Sequence, residues 1–160
     1  MKKPVAFAII SIVVIFVAGA IIWKVTRPTL PENTVVIGAV LPLSGPVAFL
    51  GEGTVNGLKL AEEHANAGKW GTSPIMLRVL AADGAGIPRT SIGAYRKLTD
   101  SDGARIVITT LSGVSMALKP LADQEGVLLF ANASHPDITT DVQMVFRHSN
   151  TASQEAAVIL

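Results

Sequence analysis

The sequence predicts an α/β fold built on a parallel β-sheet, and three observations carry that expectation. Apolar runs of strand length alternate with amphipathic runs of helix length from residue 35 onward. The first run, residues 35–41 (VVIGAVL), is apolar throughout, as a strand covered on both faces is. The connections that follow the strand runs collect glycine, proline and small hydroxyl residues, which punctuate local structure.

The elements follow in order. Residues 53–66 predict a helix, because Val55, Leu58, Ala61 and Ala65 recur at helical spacing. Residues 75–82 predict a strand, 87–99 a helix, 104–109 a strand, 114–124 a helix and 127–131 a strand; residues 144–147 add a short fifth strand. Thr151 opens a last helix with Gln154 three places on, the spacing of a capping box. Strands alternating with helices imply βαβ units with right-handed crossovers. Such sheets gather the loops after the strands' carboxyl ends along one edge, where ligands bind. Three loops therefore hold the candidate site: residues 42–52, 111–113 and 132–140.

The N-terminus stands apart from this pattern. Residues 5–23 (VAFAIISIVVIFVAGAIIW) carry no charge and are long enough to cross a bilayer as a helix. Lys2 and Lys3 ahead of the run, with Ala18-Gly19-Ala20 inside it, suit a cleavable signal. Trp23, Lys24 and Arg27 at its far end suit a retained transmembrane anchor. Both readings stay open: residues 1–24 form a signal peptide or anchor, residues 25–33 a proline-bearing linker, and residues 34–160 the folded part. The location expected is extracytoplasmic, tethered by the anchor, or periplasmic or secreted if cleaved after Ala20. The last residues, SQEAAVIL, stop within a helical pattern with no residue that ends it, so a longer chain is expected.

Composition narrows the function classes. Beyond residue 27 the chain has nine basic against twelve acidic residues, a net charge of −3, and no basic stripe with interleaved aromatics, so nucleic acid is not an expected partner. Zero cysteines remove thiolate metal sites and a cysteine nucleophile. The loop 42–52 (PLSGPVAFLGE) satisfies neither the dinucleotide fingerprint nor the P-loop pattern. LSGVS around Ser112 is not a nucleophile elbow, and His64, His135 and His148 lack metal-ligand spacing. Neither an enzyme nor a bound cofactor is expected. Asp83, between a strand and GAGIP, suits an Asx turn or a helix entry.

Ser112 admits two readings at the strand–helix junction. Its hydroxyl can cap free backbone N–H groups of the following helix, or the hydroxyl and those N–H donors together can receive a carboxylate. Ser134 holds the equivalent place after the next strand, so two hydroxyl-bearing loops would face one crevice.

Three segments together resemble a known family: IGAVLPLSGPVAFLGEGTVNGLKLAEEHANAG, then ALKPLADQEGVLLFANASHPDIT, and finally FRHSNTASQEAAVIL. They are similar to the type I periplasmic binding proteins of the leucine/isoleucine/valine-binding class, the substrate receptors of ABC transporters. The resemblance implies the first, incomplete lobe of a two-lobed receptor that closes by a hinge over an amino acid or related small polar solute, without covalent chemistry. Its partners would be that solute and the transporter's membrane subunits. It places the ligand role on Ser112, with Ala133 and Ser134 as the second contact segment, and puts Leu50 where amino-acid binders carry an aromatic that packs on the ligand. A membrane-anchored sensor domain, or an anchored α/β enzyme with catalytic residues elsewhere, are the alternatives.

Overall fold

The computed structural model describes residue 31 and residues 33–159; the expected signal or anchor helix lies outside them. Five parallel strands form one sheet: β1 (Thr34–Leu41), β2 (Met76–Asp83), β3 (Ile106–Thr110), β4 (Leu128–Asn132) and β5 (Val145–Arg147), in the spatial order β2-β1-β3-β4-β5. Helices α1 (Ala48–Asn66), α2 (Pro88–Arg96) and α3 (Ser112–Glu125) supply the crossovers, and α4 (Ala152–Ile159) follows β5. The predicted α/β class and every predicted strand are present.

Strand register sorts side chains onto two faces. Val40, Val107, Leu129, Ala131 and Val145 point to one face and meet Tyr95 and Leu98, from α2 and its extension, and Val114, Leu118 and Ala122 of α3; this is the main core. Each fully buried branched side chain there contributes about 1.5–3 kcal/mol by leaving water. Tyr95 ties the two helices together, its hydroxyl donating to Glu125 Oε2 at 3.1 Å while Arg96 pairs with the same carboxylate. Burial and the Glu125 charge push the Tyr95 hydroxyl far above its ordinary range. The opposite face is only half covered: Phe130 and Phe146, paired in register, stack at 5.6 Å and remain 39% and 45% exposed. Sheet edges β2 and β5 are also unpaired among the described residues, matching the expectation of an incomplete lobe.

The strands shift by only one or two residues from the sequence reading, and the helices differ more. α1 begins at Ala48, five residues before the predicted start, so Phe49 to Glu52 are helical and not loop. Gly51 and Gly53 look like helix breakers in sequence, but Gly51 is required: a Cβ there would collide with the Pro42 carbonyl oxygen, against which the helix packs. α2 gives way at Lys97–Ser101 to a wider π turn, in which Thr99 Oγ1 donates to the Tyr95 carbonyl at 3.1 Å. α3 begins at Ser112 itself and ends at Glu125, with Gly126 as a left-handed C-cap. The capping box at α4 is formed as predicted: Gln154 N–H donates to Thr151 Oγ1 at 3.1 Å and Thr151 N–H to Gln154 Oε1 at 2.8 Å.

The two glycines of α1 separate these effects experimentally. Gly51→Ala is expected to destabilise the natural full-length protein by more than about 2 kcal/mol, because backbone must move to admit the methyl group. Gly53, where an added methyl group would meet nothing within 4 Å, should gain about 0.5–1 kcal/mol as alanine. Paired urea melts read both changes.

Candidate functional site

At the carboxyl edge of the sheet the chain forms a cleft of about 320 Å³. Leu50 and Thr54 from α1 form one wall, Thr110, Leu111 and Ser112 at the β3–α3 junction another, and Asn132, Ala133 and Ser134 at the end of β4 the third. The four residues singled out from sequence, Leu50, Ser112, Ala133 and Ser134, therefore come together in one cleft. Sequence reasoning placed Leu111 and Asn132 within the candidate loops without singling them out, and missed Thr54 and Thr110. A signal for Thr54 was present, since it lies one helical turn beyond Leu50; the pairing of Thr110 with Asn132 is a register visible only in the folded sheet.

Each wall is held by identifiable contacts. Asp83, ending β2, accepts from Ala85 N–H at 2.7 Å and from Leu43 N–H at 2.9 Å through Oδ1, which forms the expected Asx turn and also pins the loop ahead of α1. The Ser44 hydroxyl and these backbone donors hold the Asp83 carboxyl below its usual range. α1 then runs up from that loop, with Thr54 Oγ1 donating to the Leu50 carbonyl at 2.8 Å. On the third wall the Ser149 hydroxyl donates to the Ala133 carbonyl at 3.1 Å and Ala152 N–H to the Ser134 carbonyl at 3.0 Å. The next turn (Pro136–Thr139) is capped by His135, whose Nδ1 accepts from Asp137 N–H at 3.2 Å, a structural role for that histidine.

The β3–α3 junction departs from one expectation. Ser112 is the first residue of the helix and its side chain makes no capping hydrogen bond; Leu111 occupies the cap position at φ 73°, ψ 129°. A leucine with positive φ is strained by roughly 1–3 kcal/mol and persists only where its surroundings hold it. Here the Leu111 carbonyl accepts from Ser115 N–H and Ser115 Oγ, both at 3.0 Å. The capping reading of Ser112 is thus corrected: leucine cannot cap, so α3 presents its first turn without a side-chain acceptor and without an acidic residue.

The cleft's chemistry follows from its lining. Among the described residues its lining includes four hydroxyl-bearing residues, one asparagine and no charged residue, and a helix N-terminus opens beside Ser112. Neutral donors and the positive end of a helix suit an anionic group such as a carboxylate. Among the described residues no group of histidine, aspartate and glutamate is placed to hold a metal ion. A larger groove of about 600 Å³, lined by Asp123, Asp141 and Met144 among others, is elsewhere; there Asp123 Oδ1 is already engaged by Gln143 and Met144 N–H at 2.7 and 3.0 Å.

Comparison with known proteins bears on this site. The family model described as periplasmic binding protein matches residues 34–160. The Leu/Ile/Val-binding protein BraC3 of Rhizobium johnstonii is 32% identical over 132 residues, covering 81% of this chain and 35% of that protein. A Leu/Ile/Val-binding protein homolog from Brucella melitensis is 31% identical over 129 residues, covering 78% of this chain and 34% of the relative. The solute-binding protein of an ABC transporter from Rhodopseudomonas palustris, solved with 3,4-dihydroxybenzoic acid, superposes with a TM-score of 0.70 at 25% identity, covering 80% of this chain and 35% of that one. The chain thus spans about a third of the length of the relatives it matches.

Two substitutions test the site's supports. Asp83→Ala is expected to lower stability at neutral pH by under about 1 kcal/mol, since the carboxylate is open to water. Its folded pKa is depressed, so the stabilisation is present above the ordinary carboxylate range and is lost as pH falls through the folded value; the gap between variant and wild type should start to shrink near the ordinary carboxylate value of about 3.9 and close only at lower pH in thermal melts. At Leu111, glycine should be more stable than alanine by about 1 kcal/mol, because both lack the leucine side chain and only alanine keeps the positive-φ strain.

Proposed function

The chain belongs to the periplasmic binding protein family, and on that premise we propose that it supplies the first-lobe half of a solute cleft in an extracytoplasmic receptor serving an ABC transporter. The family is one of solute binders, not enzymes. The observation that carries the proposal is the convergence of Leu50, Ser112, Ala133 and Ser134 on one uncharged, donor-rich cleft at the carboxyl edge of the sheet. The solute is an amino acid of the branched-chain type or a related small carboxylate, in keeping with the leucine, isoleucine and valine named for the curated relatives and the dihydroxybenzoic acid bound by the Rhodopseudomonas neighbour.

In the mechanism we propose, the solute's carboxylate sits at the N-terminus of α3, where the Ser112 hydroxyl and the first-turn N–H groups donate to its oxygens. The Ser134 hydroxyl and the Ala133 backbone flank the solute's other polar group, and Leu50 covers its apolar part. A second lobe closes over the occupied cleft by a hinge motion, and the closed form is what the transporter's membrane subunits engage. Closure is favoured because the solute touches both lobes only in that state, which is the differential affinity a population shift needs. Residues 5–23 tether the receptor to the membrane or direct its export.

Thermal stabilisation tests the reading directly. At a hundred times its dissociation constant a solute adds about 2.7 kcal/mol to stability. L-leucine, L-isoleucine or 3,4-dihydroxybenzoate should therefore raise the melting temperature of the natural full-length protein; no shift with any of them sinks the proposal. Ser112→Ala should weaken the active probe's binding by about tenfold in calorimetric titration, the effect of one donor to a charged oxygen.

A further inference from the structure

Two buried side-chain oxygens among the described residues have no hydrogen-bond partner, Thr34 Oγ1 and Thr110 Oγ1. Thr34 starts β1, at the end of the sheet away from the cleft. Thr110 ends β3, lines the cleft and is 5% exposed. Nearby hydroxyls behave differently: Thr54 donates to the Leu50 carbonyl at 2.8 Å, Thr109 to the Thr110 carbonyl at 3.3 Å and Ser115 to the Leu111 carbonyl at 3.0 Å. A hydroxyl withdrawn from water without a partner destabilises the chain that carries it, and such groups in native proteins call for an explanation.

Position supplies one. Thr110 is two residues ahead of Ser112, across the strained Leu111, and so stands beside the uncapped first turn of α3. A carboxylate oxygen has lone pairs for more than one donor, and the cleft offers it no cation. We propose that Thr110 is a solute contact, its hydroxyl donating to an oxygen of the bound carboxylate alongside the N-terminus of α3. The inference rests on the solute-binding reading above and adds a residue to it: the donor left unsatisfied in the empty cleft is satisfied by the ligand. Valine at this position would relieve the empty protein and weaken the filled one.

The test uses the natural full-length protein with L-leucine and 3,4-dihydroxybenzoate as probes. Thr110→Val keeps the shape and removes the hydroxyl; without solute it should melt at or above the wild-type temperature, and it should bind the active probe about tenfold more weakly. Thr110→Ser, which restores the hydroxyl, should bind within about threefold of wild type. Thr110→Ala must show the same loss of affinity as valine and keeps the test intact if the valine variant does not fold. Valine or alanine binding as tightly as wild type overturns the inference alone. A valine variant that melts lower with affinity unchanged assigns the hydroxyl a structural role instead. A wild type that binds neither probe overturns the solute-binding reading and this inference with it.

Discussion

Everything at the cleft depends on the placement of β1 between β2 and β3, with all three strands running the same way. Parallel pairing forbids a tight hairpin, so each strand must be followed by a crossover before the next can pair. The four crossover starts, after Leu41, Asp83, Thr110 and Asn132, then fall on one edge although they lie far apart in sequence, and those after Leu41, Thr110 and Asn132 lead into the cleft. Register does the finer work: Thr110 stands opposite Asn132, and Asp83 opposite the buried Leu41, so the last residues of these strands share one row at the carboxyl edge.

The cleft combines rigid support with unspent donors. Asp83 spends its carboxylate on the loop before α1, and Ser149 and Ala152 spend a hydroxyl and an N–H on the carbonyls of Ala133 and Ser134. What is left in the lining is an uncapped helix turn, the hydroxyls of Ser112 and Ser134, and the buried, unpartnered hydroxyl of Thr110. The strain at Leu111 fits the same pattern, since a capping residue with a side-chain oxygen would consume the N–H groups that Leu111 leaves open. Stability is given up at the junction where an anion would be received.

The two faces of the sheet are unequal. Tyr95, Leu98, Leu118 and Leu129 fill one face completely, whereas Phe130 and Phe146 stack on the other with much of their surface open. α1 packs mainly along β2, and a cleft lined by Thr54 and Leu58 together with Ile108 and Phe130 opens over the middle of that face. The cleft therefore sits at the boundary between a finished core and an unfinished one.

The sequence by itself determined the α/β class, the strands and the periodicity of α1, because apolar runs and helical spacing are local and survive in one dimension; loop chemistry singled out Ser112 and Ser134, whereas Leu50 and Ala133 came from the family resemblance alone. It also determined the Asx turn at Asp83 and the capping box at Thr151, whose partners lie within three residues. Only the tertiary structure decided where α1 starts, since the contact that makes Gly51 necessary is with the Pro42 carbonyl and is invisible to helix propensity. It alone decided that Ser112 is inside the helix and that Leu111 carries the strain, because backbone angles at a junction are imposed by the packing on either side. The lone hydroxyl of Thr110 was equally beyond the sequence: whether a threonine finds a partner depends on every neighbour the fold brings to it, and here the fold brings none.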